Sequence, residues 1–464
     1  MRTLYFEPVE RSRRQLVLRY RIDNTRFSTS YWYDTVDFIE LEATYGSDFM
    51  RWVEFHLLAF EANKAASLKP DKIDFGSYAD LVTDEFWDLW ETIFRNVWAV
   101  WRFENDLPDY RLVRPDLGVS RPPPATSLGP PEVPTLMLCG GGKDSLVSMG
   151  LLETADIQYD AFVYSHSTYG RGQHQHDLID GVLEHCDHQN LHRGWVFDDA
   201  IDSPAALVEP ELGIGRMIAA ETVSSYWTAL PLILQHRYRN VALGISRSTD
   251  EHNLTWDRNG EDVNYLWGMS STAETLLHDY VRQNLVTNVQ IFHILRPIYD
   301  IGVFTLLGRN LDAVPATHSC AQVKPWCCRC AKCIYVWMNY VAWLPQDVVA
   351  ETFSVNLFDL EENRSLLRKM LGLESYKPTD CVGTVSEARL AFVMCRMKDV
   401  SGVIADEIDL GPLLGETEDI LDRYSPSAEL GPTFPKEFAP ALDRQFRDAA
   451  TSAHAYAREL LAEK

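Results

Sequence analysis

The chain has 464 residues, 46% hydrophobic and 24% charged, and a formal net charge of −24. That is the composition of a soluble globular protein with more than one core. With 43 basic against 67 acidic residues, broad nucleic-acid binding, which needs a basic surface, is not expected. No apolar run reaches the ~18–20 residues of a membrane span. The first residues, MRTLYFEPVERSRRQLVLRY, lack the apolar core of a secretory signal, so the expected location is the cytoplasm, away from membranes.

Residues 15–40 are rich in β-branched and aromatic residues around an Asp-Asn turn signal and predict antiparallel strands. From Phe49 to Ala65, and from Asp84 to Glu104, apolar residues recur at three- and four-residue steps, which predicts helices. Trp87, Trp90, Phe94, Trp98 and Trp101 form one such stripe and read as a ridge facing the core. The proline-rich stretch 118–134, GVSRPPPATSLGPPEVP, continues neither element. It is expected to be a linker closing an N-terminal α+β domain of residues 1–117.

From Thr135 short apolar runs alternate with helical stretches. Strands are expected at 135–139, 159–165, 193–198, 240–245 and 289–295, with helices at 144–153, 176–185, 214–236, 272–284 and 300–311. This alternation predicts an α/β domain, a parallel sheet with helices on both faces, over residues 135–345. A helical C-terminal region should follow over 346–464. Ligands of such sheets bind beyond the carboxyl ends of the strands.

LCGGGKDSLVSMG, residues 138–150, is the turn from the first of these strands into its helix. Glycines at 140, 141 and 142 let backbone N–H groups converge on an anion, which the helix N-terminus also favours. Lys143 offers a point charge, Ser145 a hydroxyl for the same phosphate, and Asp144 a ligand for the magnesium of a nucleotide. A dinucleotide fingerprint would need a third glycine where Ser145 stands, and a Walker loop would need Ser or Thr after Lys143. The stretch resembles instead the Gly-Gly-x-Asp-Ser loop of the PP-loop ATP pyrophosphatases, with Gly140 in place of the usual leading serine. That resemblance implies splitting of ATP into AMP and pyrophosphate to activate a carboxyl or carbonyl oxygen, with Gly140–Ser145 as the ATP site.

Of nine cysteines, Cys320, Cys327, Cys328, Cys330 and Cys333 lie close together, while Cys139, Cys186, Cys381 and Cys395 are scattered. Cys320, Cys327, Cys330 and Cys333 have the spacing C-x6-C-x2-C-x2-C, which suits a closed structural zinc site. Cys328 stands beside Cys327 and is an alternative to it as ligand. An iron–sulfur cluster or uncoordinated buried cysteines are the other readings.

Five further stretches follow in order: ALGISRSTDEHN, VNYLWGMSSTAE, LRPIYDIG, SC…WCCRCAKCIYVW and YKPTDCVGTVSEARLAF. With GGGKDSLVS, this series resembles, over roughly residues 50–395, the family of ATP-dependent epimerases acting on UDP-N-acetylmuramoyl-L-alanyl-L-glutamate. The sequence departs from the family pattern at Cys328, where glycine is usual, and in SRSTDEHN and VNYLW, which would face substrate. The resemblance implies ATP-dependent epimerisation of a carboxyl-terminal amino acid through an acyl-adenylate, on the UDP-muramoyl dipeptide or a related peptide. Adenylation lowers the charge on the carboxylate, so that a base of modest pKa removes the α-proton.

Candidate acids and bases are Cys381, Glu251, His252, His174 and His176, beside Lys143 and Asp144 in the loop. Candidate substrate-binding groups are Asn264 and Lys377 in the quoted stretches, and Arg247, Arg258, Arg282 and Arg296, of which Arg296 before Pro297 is preferred. The expected cofactors are ATP, Mg2+ and structural Zn2+, and the expected partner is a small-molecule or peptide substrate. The alternatives are a tRNA-modifying or amide-forming PP-loop enzyme, and a nucleotide sensor without catalysis.

Overall fold

In the computed structural model, residues 2–200, 203–204, 207, 221–320, 322–424 and 430–462 are described. Their strands are β1 (Thr3–Phe6), β2 (Glu10–Arg11), β3 (Gln15–Ile22), β4 (Thr25–Tyr33), β5 (Lys72–Asp74), β6 (Thr135–Leu138), β7 (Tyr159–His166), β8 (Leu191–Asp198), β9 (Asn240–Leu243), β10 (Leu254–Trp256), β11 (Glu261–Val263) and β12 (Gln290–His293). Ten of them form one mixed, mostly parallel sheet in the order β12-β9-β6-β7-β8-β4-β3-β1-β5, with β2 paired to β3.

The five strands from β12 to β8 are parallel. Each expected strand of this half is present, within a few residues of its predicted bounds. Side chains alternate between the faces: Leu136, Phe162, Val241 and Ile291 join one core, while Met137, Ala161, Ala242 and Phe292 join the other. A strand buried on both faces reads as a continuous apolar run, and these strands do. Helices Ser47–Ala62, Asp84–Val97 and Ser271–Asn284 contribute to the first core. Lys143–Thr154, Asp300–Leu307, Ala331–Trp343, Val385–Met397 and Ala439–Ala462 contribute to the second.

The N-terminal strands extend the same sheet, because β4 runs antiparallel to β8, pairing Tyr33 with Gly194 through to Thr29 with Asp198. The expected β3–β4 hairpin turns at Asp23, whose φ of 50° suits an aspartate in a tight turn. The chain then enters a helix at Phe38, so the strand reading of residues 15–40 runs a few residues too far. The aromatic ridge from Trp87 to Trp101 is buried throughout. The helix expected at 214–236 falls partly outside the described residues; what is described is two helices, Glu221–Thr228 and Leu230–His236. Between residues 118 and 134 the chain makes one isolated bridge, Thr126 to Val286. Over the described part of 346–464 every regular element is helical. No helix among the described residues is long and apolar enough to cross a membrane.

Chain order reverses between β6 and β9, since the crossover from β6 leads to β7 on one side and the later strands add on the other. The carboxyl ends of β6 and β9 therefore diverge, and a crevice opens there.

Candidate active site

At that crevice lies a cleft of about 380 Å³. The loop leaving β6 forms its floor: Gly140, Gly142, Lys143, Asp144 and Ser145 all line it. Gly142 is the N-cap of the helix Lys143–Thr154 and brings no side chain to the first turn, which leaves the helix N-terminus to an anion. Within the loop, the Gly140 N–H donates to Ser145 Oγ at 3.1 Å. Gly141 has a φ of +75°, the left-handed region that glycine enters without a Cβ clash.

Lys143 is buried. Its ammonium lies 2.6 Å from Asp144 Oδ1 and 3.6 Å from Asp300 Oδ2. Burial alone would lower its pKa, but the two carboxylates outweigh that and hold it above the usual lysine range. Asp300 opens the helix Asp300–Leu307 and accepts from Ser246 Oγ at 2.6 Å and Tyr335 OH at 3.1 Å. Burial opposes its charge; Lys143 and these donors nonetheless keep its carboxyl below the usual range.

Another part of the lining comes from far along the chain. Cys381 and Gly383 line the cleft, and a Cβ on Gly383 would stand 2.0 Å from Tyr335 OH, so only glycine lets this segment approach Asp300's partner so closely. Beyond it, Glu387 caps the helix Val385–Met397 by accepting from the Thr384 N–H at 2.9 Å. Its other oxygen accepts from Ser248 Oγ at 2.9 Å. Burial, with Asp300 adding to it, pushes this carboxyl up to about 7.

Several residues singled out from sequence serve the walls rather than the cavity. Glu251 Oε1 accepts from the Val385 N–H at 3.0 Å, and Lys377 Nζ donates to the Glu251 carbonyl at 2.9 Å. Burial lowers the Lys377 pKa against the pull of Glu251. This pair ties the loop after β9 to the segment carrying Cys381. Arg296, 7% exposed, gives its donors to Glu274 Oε2 at 3.0 Å, the carbonyls of Ser246 at 3.1 Å and Met269 at 2.6 Å, and Thr249 Oγ1 at 3.2 Å. Asn264 donates to the Thr249 carbonyl at 3.0 Å. Both thus shape the loop of residues 246–250, whose Ser246, Ser248 and Thr249 line the cleft.

The remaining candidates lie elsewhere. The His252 side chain is 43% exposed and sits 3.6 Å from Asp262 of the β10–β11 hairpin. Arg258 pairs with Asp106, Arg282 with the Thr287 carbonyl, and Arg247 lies over the Tyr299 ring. His174 is exposed, whereas His176 is buried against Arg193 and outside the cleft lining.

Cys320, Cys327, Cys330 and Cys333 bring their four sulfurs within 4.8 Å of one another. Two edges of the group, Cys320–Cys330 and Cys327–Cys333, measure 3.8 Å. A tetrahedron with Zn–S bonds of about 2.3 Å has edges of about 3.8 Å, so the donor set is compatible with zinc. Backbone N–H groups of Gln322, Val323, Arg329 and Cys333 point at these sulfurs, as stabilised thiolates require. Cys328, with a φ of +61°, is not among these converging sulfurs. Cys327, not its neighbour, completes the four.

A second convergent group was not legible in the sequence. Lys64, buried in the N-terminal region, donates to Asp198 Oδ2 at 3.0 Å and to Glu61, and lies 3.5 Å from His166 Nε2. Glu61, His166 and Asp198 have the proximity of metal ligands, but the ammonium stands among them. His166 in turn lines the cleft, so this ion cluster braces its far wall. Also missed were Asp300, Ser246, Ser248, Lys332 and His318, which all line the cleft; Asp300 lay inside the quoted LRPIYDIG.

Comparison with known proteins finds similarity to one group of epimerases. The model of the MurL C-terminal domain matches residues 316–403, the part that holds the four cysteines, Lys377, Cys381 and Glu387. The UDP-N-acetyl-alpha-D-muramoyl-L-alanyl-L-glutamate epimerase of a Micromonospora species is 25% identical over 313 residues, 65% of each chain. The protein of that name from Salinispora tropica is 23% identical over 310 residues, 63% of this chain and 62% of its own. The one from Xanthomonas oryzae pv. oryzae is 22% identical over 362 residues, 73% of each chain. The chain thus spans a little less than two thirds of the length of the first two relatives. No solved structure matches it. The protein is thus similar to these epimerases at low identity over much of its length.

Proposed function

We propose that the protein is a PP-loop enzyme that uses ATP and magnesium to epimerise the terminal glutamate of UDP-MurNAc-L-Ala-L-Glu or a closely related peptide. The observation that carries this reading is the meeting, in one cleft, of the glycine loop at a helix N-terminus and Cys381. The names of the relatives support epimerisation of that substrate. Lys324 and Lys332 also line the cleft, which gives an acidic protein a local site for anions.

Gly140–Gly142 and Ser145 would hold the phosphates, and Asp144 the magnesium that screens their charge. Adenylation of the substrate carboxylate makes the α-proton acidic enough for a side chain to remove. Cys381, which lines the cleft, would take or return that proton at one face of the substrate. Glu251, Lys377, Arg296 and Asn264 would position the loops rather than touch the reacting atoms. Incubation with ATP, magnesium and UDP-MurNAc-L-Ala-L-Glu should yield D-glutamate after hydrolysis, together with AMP and pyrophosphate. ADP and phosphate as products would refute the pyrophosphatase assignment. AMP formation without inversion would favour the amide-forming alternative.

We further propose that the four cysteines hold one structural zinc, which closes the knuckle and so braces the cleft. Metal analysis should give about one zinc per chain. Cys330→Ser should lose it and destabilise the protein, since a closed shell contributes folding energy directly. Cys328→Gly should keep the zinc and melt at the same temperature or higher, because it relieves a left-handed backbone that disfavours a Cβ by about 1–2 kcal/mol. Loss of zinc in Cys328→Gly would reassign the ligand set.

A further inference from the structure

His318 is enclosed, with 1% of its surface exposed, yet among the described residues neither ring nitrogen has a hydrogen-bond partner. Buried polar groups are normally paired, and an orphaned imidazole calls for an explanation. Three contacts supply it. The residue lines the cleft beside the glycine loop. A Cβ built on Gly141 would stand 2.4 Å from His318 Nε2, so the imidazole lies directly on the loop's central residue. The backbone holds it there independently, the His318 N–H donating to the Gly141 carbonyl at 3.0 Å.

The next residue continues the contact. Ser319 Oγ would lie 2.8 Å from a Cβ on Gly142. The chain entering the cysteine knuckle at Cys320 therefore runs along Gly141 and Gly142, which answers why two motifs so far apart in sequence belong together. The ring is not needed for this docking, which the backbone bond makes. Its two nitrogens are left without a partner among the described residues.

We propose that His318 is a further ligand-binding residue, whose ring N–H donates to an anionic oxygen of the group held by Gly140–Ser145. Under the ATP reading above, on which the identity of the ligand rests, that oxygen belongs to the nucleotide's phosphates. An imidazole ring N–H is a donor that suits a phosphate oxygen.

The test measures calorimetric affinity for magnesium ATP and magnesium pyrophosphate in the full-length protein, alongside zinc content and melting temperature. His318→Phe keeps a ring against Gly141 and removes both nitrogens; His318→Gln gives up the ring and keeps a donor. Binding should weaken at least ~10-fold in His318→Phe and stay within ~3-fold of the original protein in His318→Gln. A packing role predicts the reverse order, and that result would overturn the inference while leaving the ATP reading intact. If the unaltered protein binds neither ligand, the ATP reading fails and takes this inference with it. Should His318→Phe lose zinc or melt early, the unaltered protein decides: the His318 ring 15N resonance, assigned by its absence in His318→Gln, should shift on adding magnesium pyrophosphate. No shift at saturating ligand would refute the contact.

Discussion

Gly141→Ala is expected to lower AMP formation at least ~100-fold, a loss of the size seen when preorganised anion-binding donors are misplaced. Two effects act together. The left-handed φ of +75° disfavours any residue with a Cβ by about 1–2 kcal/mol. The new methyl would also meet the His318 ring, at 2.4 Å from Nε2 and 2.7 Å from Cε1, with Ile179 at 3.0 Å. The ring is 1% exposed and has little room to yield, so the loop has to move instead, and its N–H groups leave their line. Gly140→Ala provides the contrast: nothing stands within 4 Å of its added Cβ, and the melting temperature should not change. Pyrophosphate release and thermal unfolding, measured on both variants, check this. Full activity in Gly141→Ala would show that the loop does not hold the nucleotide.

The second large effect concerns the α-proton. In D2O with ATP and magnesium, the inverted glutamate should carry deuterium at its α-carbon, with little incorporation when ATP is omitted. The free carboxylate leaves that proton too weakly acidic, whereas the activated one does not. Cys381→Ala should cut inversion by ~100-fold or more, the contribution expected of a general acid or base. AMP formation should fall much less, because the glycine loop is untouched. His252→Ala should stay within ~3-fold of the original rate, since that side chain is 43% exposed on the β10–β11 side and outside the cleft. Activation of the substrate without α-deuterium in either enantiomer would rule out epimerisation, and unaltered inversion in Cys381→Ala would move the acid–base role to another wall of the cleft.

These expectations draw unequally on sequence and structure. The glycine loop, the cysteine spacing and the strand–helix alternation were all readable along the chain, because each is a short-range pattern. A loop that must turn a strand into a helix around an anion needs its residues within a few positions of one another. Four thiolates on one knuckle have the same constraint. The parallel strands announced themselves through apolar runs, since burial on both faces of a sheet leaves no polar alternation.

What only the tertiary structure decided is which distant segments meet. Arg296 looked like a substrate-binding arginine, but the fold surrounds its guanidinium with Glu274 and the carbonyls of Ser246 and Met269. His252 and Cys381 were equal candidates by residue type, and the sheet order placed one at the surface and the other in the cleft. The Lys64–Glu61–Asp198–His166 cluster joins the end of the helix Ser47–Ala62 to the ends of β7 and β8, a meeting that no local spacing announces. His318 had no motif of its own, and its significance is an unpaired imidazole pressed on Gly141, some 180 residues earlier in the chain. Local patterns are set by the few backbone bonds between neighbouring residues. Convergence is set by strand order, and by which side chains remain without partners once everything else is packed.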